Sequence, residues 1–120
     1  MTITFQHLVK AENGDTEIAG RGLRVYTILG LYDMGDSAEY IADAYDVPLA
    51  AVYEALAYAA DHVAEMEAIR QADEAAEERM LSRLPVHLRL EAERIRESDE
   101  QMRQEAIRKA TEARRGTPVP

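Results

Sequence analysis

Asp36-Ser37-Ala38-Glu39-Tyr40-Ile41-Ala42-Asp43-Ala44-Tyr45-Asp46-Val47-Pro48 holds a helix start, a helix and a tight turn into another helix. Asp36 and Glu39 have the spacing of a capping box, in which the first side chain accepts from the N3 amide and the second reaches back. The helix so opened is expected over about Ser37 to Ala44, with Ile41 and either Tyr40 or Ala44 facing inward. Tyr45-Asp46-Val47 is a tight connection, and Pro48 suits the first turn of the next helix, where its missing N–H costs nothing. Two short helices joined this closely have the lengths and spacing of a helix-turn-helix.

Upstream, Val25, Ile28, Leu29 and Tyr32 share one helical face, and Gly35 stands where a left-handed C-cap would close that helix. Residues 3–9 (Ile3, Phe5, Leu8, Val9) suggest a short strand. Asn13-Gly14 marks a turn because both residues tolerate positive φ, and a second strand is expected over Thr16 to Ile18. Gly20-Arg21-Gly22 then forms a flexible basic corner. It reads either as the end of a hairpin sealing the helical core or as a contact patch formed by Arg21 and Arg24.

Downstream, Leu49, Val52, Leu56, Ala59, Val63 and Met66 keep three-four spacing, so the third helix is expected to run on past a compact domain. Asp61 to Glu78 carries seven acidic residues and one arginine, a face that is solvated or pairs with a basic partner. Met80, Leu81 and Leu84 precede a break at Pro85. A last helix is expected from about Leu88 to Arg115, with a thin apolar stripe of Leu88, Ala92, Ile95, Met102, Ala106 and Ala110, and a frayed tail from Gly116 to Pro120. The fold class is therefore mainly α. A short N-terminal β-hairpin and a homeodomain-like or winged helix-turn-helix fill residues 1–69, and a charged helical arm, marginal alone, fills 70–120.

Composition narrows the function. The chain of 120 residues has no cysteine, which excludes disulfides and thiolate metal sites. It lacks both a membrane-length apolar run and a secretory leader pattern, so a cytoplasmic location is expected. The net charge of −9 argues against sequence-blind nucleic-acid binding. Residues 1–60 hold nine acidic and three basic side chains, and residues 61–120 hold fourteen and eleven.

No catalytic constellation emerges. His7, His62 and His87 share no ligand spacing, Ser37 belongs to a helix start, and Glu39 with Asp43 reads as a solvated face. The expectation is a protein with no enzymatic activity, metal or cofactor. The presumed recognition helix, Pro48 to Ala60, lacks Arg, Lys, Asn and Gln, the usual base-reading residues. Any DNA contact would thus fall to Arg21 and Arg24. The locally positive C-terminal cluster of Arg103, Arg108, Lys109, Arg114 and Arg115, beside Ile95 and Met102, is the candidate partner-binding surface.

Residues 18–58 resemble the DUF433 family, small helix-turn-helix proteins of bacteria and archaea, many described as VapB-type antitoxins. The resemblance rests on Ile18-Ala19-Gly20-Arg21-Gly22-Leu23-Arg24-Val25, on Ser37-Ala38-Glu39-Tyr40-Ile41-Ala42-Asp43-Ala44-Tyr45 and on Val52-Tyr53-Glu54-Ala55-Leu56-Ala57-Tyr58. The family's Thr-Arg in the first motif is replaced here by Arg21-Gly22. The resemblance implies a homodimer that masks a nuclease-like toxin with an extended arm and represses its own operon. The alternative, suggested by the acidity of residues 1–78, is an adaptor or homo-oligomeric assembly protein that kept the fold without DNA contact.

Overall fold

The computed structural model describes residues 5–116; the expected strand residue Ile3 and the tail Thr117–Pro120 lie outside them. The described residues form a three-stranded antiparallel sheet followed by five helices. The chain divides into two compact units, Met1–Val63 and Ala64–Pro120.

In the first unit, β1 (Leu8–Lys10) pairs with β2 (Thr16–Ile18), matching Leu8 to Ile18 and Lys10 to Thr16. Only Gly14 takes a positive φ at their turn, while the Asn13 side chain accepts from the Asp15 N–H at 3.0 Å. The expected hairpin gains a third strand. Gly20 (φ 77°) and Gly22 (φ 65°) reverse the chain into β3 (Leu23–Arg24), which pairs with β2. Two residues running straight into a helix are too short to leave a period-two pattern.

The first helix, α1 (Val25–Asp33), ends in a Schellman arrangement: Gly35 N–H bonds to the Tyr32 carbonyl and Asp36 N–H to that of Leu31. Gly35 itself takes φ 116°. The next helix, α2 (Ala38–Tyr45), is capped by Ser37, whose side chain accepts from the Tyr40 N–H at 3.0 Å. This moves the cap one residue from Asp36, whose amide the Schellman turn engages. Ala38 and Ile41 face inward, and both Tyr40 and Ala44 are exposed.

The helix closes on Asp46, left-handed at φ 52°, while Val47 N–H bonds to the Ala42 carbonyl. Pro48 caps α3 (Leu49–Asp61) from outside rather than occupying its first turn. The inner face of α3 comprises Ala51, Val52, Ala55, Tyr58 and Ala59; Leu56 is half-buried and Leu49 is exposed. Helix α1 packs mainly on α3, so Val25, Ile28, Ile41 and Val52 form a fully buried centre.

The third helix does not continue to Met66. At His62 the backbone leaves helical geometry (φ −128°, ψ 49°). The His62 ring N–H donates to the Tyr58 carbonyl at 2.8 Å and the ring stacks on Tyr58 at 3.8 Å. The side chain thus takes a carbonyl that a continuing helix would give to its own backbone.

The second unit contains α4 (Val63–Ser82) and α5 (Val86–Arg115), separated by a short turn ending at Pro85. The surface of α4 is largely solvated. Arg70 holds Glu67 at 2.5 Å and Glu74 at 2.7 Å, and Arg96 of α5 reaches Glu78 at 3.3 Å. No helix among the described residues is long and apolar enough to cross a membrane.

Candidate functional site

The two regions that could recognise another molecule are the outer face of α2 and α3 and the length of α5. On the first, α2 supplies Glu39 and Asp43, the turn supplies Asp46, and α3 supplies Leu49. The groove they border also takes in Ala42 and Val47, and Tyr53 of α3 reaches its edge through Glu39. The Tyr53 hydroxyl donates to Glu39 at 3.1 Å, and this bond, aided by the glutamate's charge, raises the pKa of the phenol. The groove is acidic because nothing basic lies on α1, α2 or α3. It is a poor surface for phosphates and a good one for cationic side chains.

Arg21 and Arg24, the candidate DNA contacts, are both drawn toward carboxylates. Arg21 lies 3.6 Å from Asp46 at the helix-helix turn. Arg24 lies 3.6 Å from Asp15, with its guanidinium 5.4 Å from the centre of the Tyr26 ring. The half-buried Arg24 side chain therefore braces the sheet against the start of α1.

Glu54, which reads in the sequence as a negative charge on a recognition helix, has another job. Its carboxylate accepts from the Gln6 and His7 backbone amides and from the His7 ring. Burial alone would push its pKa up, but these bonds outweigh it and hold the carboxyl below its usual range. Nearby, Thr16 and Lys10 both donate to the Tyr58 hydroxyl at 3.0 Å, and Phe5 meets the Tyr58 ring edge-on. These contacts fasten the N-terminal segment and the sheet to α3. They join residues more than forty positions apart, and no local sequence signal announces them. Among the described residues, no group of three His, Asp or Glu side chains could hold a metal ion.

On α5, Ile95 and Met102 stand well out in solvent, 57% and 64% exposed. Their spacing of seven residues, with the half-buried Ala92 before and Ala106 after them, leaves an interrupted apolar stripe along the helix. Ile95 borders a groove shared with Leu81 and Arg103, and Met102 borders another with Ala106 and Lys109. The basic cluster is partly self-neutralised. Arg103 lies 3.7 Å from Glu100, Arg108 bridges Glu105 and Glu112, and Lys109 approaches Glu105 at 3.9 Å. Those bonds lower the pKa of Glu105 and raise that of Arg108. Arg114 and Arg115 sit in the last turn, where their charge favours the helix end. The surface is a charged, ion-paired helix with a thin apolar seam.

Comparison with known families matches residues 12–59 to the one described as "Protein of unknown function (DUF433)". The match takes in the sheet's second and third strands and α1 to α3, and leaves α4 and α5 outside it. No curated protein matches the chain, and no solved structure does.

Proposed function

We propose that this protein is a non-enzymatic, antitoxin-like regulator that binds a partner protein through α5, with residues 1–63 as its folded anchor. The observation that carries the reading is the exposure of Ile95 and Met102 on a thirty-residue helix that buries only Ala110. Apolar side chains repeated along one side of an ion-paired helix are the anchors of helix-in-groove recognition. The partner is a small nuclease-like toxin, an identity taken from the resemblance of residues 18–58 to DUF433. In that role the apolar seam would enter the toxin's groove, while Arg103, Arg108, Lys109, Arg114 and Arg115 would meet acidic groups at its rim.

The acidic groove of α2 and α3 favours a second reading for the first unit, an adaptor or assembly module without DNA contact. Base readout needs donors that α3 does not have, and Arg21 and Arg24 already face Asp46 and Asp15. Operon repression would require a dimer placing those arginines about one DNA turn, roughly 34 Å, apart.

Purification of the intact protein from its native cells, with co-eluting proteins and DNA scored together, tests both readings. A stoichiometric nuclease-like protein that is lost from the Ile95→Asp/Met102→Asp variant is the expected result. Recovery of the protein with operator DNA and no such partner would overturn the first reading, and recovery of the protein alone would favour the second.

A further inference from the structure

The turn between α4 and α5 combines two properties. Residues 79–90 contain Arg79, Arg83 and Arg89 and no aspartate or glutamate, in a chain whose net charge is −9. The same stretch exposes Met80, Leu84, Val86, Leu88 and Leu90. Arg79, Arg83 and Arg89 make no side-chain ion pair among the described residues, whereas Arg70, Arg96 and Arg108 are each held by glutamates. Unpaired cations set among exposed aliphatics fit a surface that is both acidic and partly apolar.

The chain itself carries such a surface. Between Arg24 and Arg70 lie nine acidic residues and no lysine or arginine. The groove of α2 and α3 gathers Glu39 and Asp43 near Leu49, with Asp46 facing Arg21 at its rim and the half-exposed ring of Tyr53 held by Glu39. Nucleic acid and anionic lipid share this negative sign, but the groove adds the exposed side chains of Leu49 and Tyr53 at fixed positions for the turn's aliphatics to cover.

We propose that the α4–α5 turn of one molecule docks on the α2–α3 groove of a second copy of this chain. Arg83 and Arg89 meet Glu39 and Asp43, and the exposed leucines cover Leu49 and Tyr53. The contact uses neither Ile95 nor Met102, the two side chains assigned to partner binding on α5.

Sedimentation equilibrium of the full chain, at low and high salt, tests this. The wild type should self-associate, with affinity falling at least about tenfold at high salt. Arg83→Glu/Arg89→Glu and Glu39→Arg/Asp43→Arg should each be monomeric while keeping the wild-type circular-dichroism spectrum. An equimolar mixture of the two variants should associate again, because each reversed surface now meets its complement. A mixture that stays monomeric would overturn the proposal, as would a monomeric wild type or association that neither variant weakens. Binding of the wild type to phosphatidylserine vesicles or duplex DNA, lost in Arg83→Glu/Arg89→Glu, would assign the turn to that occupant instead.

Discussion

Helices α1 and α5 show the contrast between the two halves of the chain. The nine residues of α1 bury Val25 and Ile28 completely, whereas the thirty residues of α5 bury one alanine. The first unit is held by side chains brought together from distant positions: Thr16 and Lys10 on Tyr58, His7 on Glu54, Ile28 among Ile41 and Val52. The second is held largely by pairs three or four residues apart, such as Arg70 with Glu67 and Glu74. Pairs of that kind are worth about 0.2–0.5 kcal/mol each at exposed positions, far less than a buried aliphatic side chain, which contributes about 1.5–3 kcal/mol. Helicity alone therefore says little about stability. A unit with few buried residues gains most by covering its apolar side chains with another molecule.

The largest expected break in this contrast comes from the core. Ile28→Ala should destabilise the first unit by about 2–5 kcal/mol, read as a lower urea midpoint. Met102→Ala should leave that midpoint unchanged within about 0.5 kcal/mol. An equal loss from both would mean that the two units share one core. Next, Tyr58→Phe removes the hydroxyl that accepts from Thr16 and Lys10 and should cost about 1 kcal/mol in the same titration.

Glu54 adds a pH dependence. Its folded pKa lies below the unfolded value of 4.5, so its stabilisation is present above that pH and is lost as pH falls through the folded value. The melting-temperature gap between the wild type and Glu54→Gln should be open at pH 7 and close in acid. A gap that does not change with pH would remove the carboxylate from this role. The smallest effect is a gain: Asp46→Gly relieves a left-handed non-glycine residue and should stabilise by about 0.5–1 kcal/mol. The exposed pair with Arg21 that it gives up contributes little in solvent.

Much of the fold was legible because its signals are local. β2 lies over the expected Thr16 to Ile18, Gly35 ends α1, and the two helices α2 and α3 with the tight turn between them follow the stretch from Ser37 to Pro48. Other features depended on neighbours that spacing cannot show. Leu49, Val63 and Leu56 continued an apolar pattern, yet the core is closed by Tyr58 and three small alanines, Ala51, Ala55 and Ala59, which let α1 approach. The candidate residues were legible as types, not as situations. Arg21 and Arg24 read as exposed basic groups, and only the structure shows the carboxylates they face.

The sequence by itself determined the helical character, the turns and the uneven distribution of charge, because backbone propensity, capping and composition act over a few residues. Tertiary structure alone decided that Glu54 pins the N-terminal segment, that His62 ends α3 and that the turn after α4 exposes aliphatics beside arginines with no ion pair among the described residues. Burial, and the hydrogen bonds it makes necessary, depend on which distant residues meet in space.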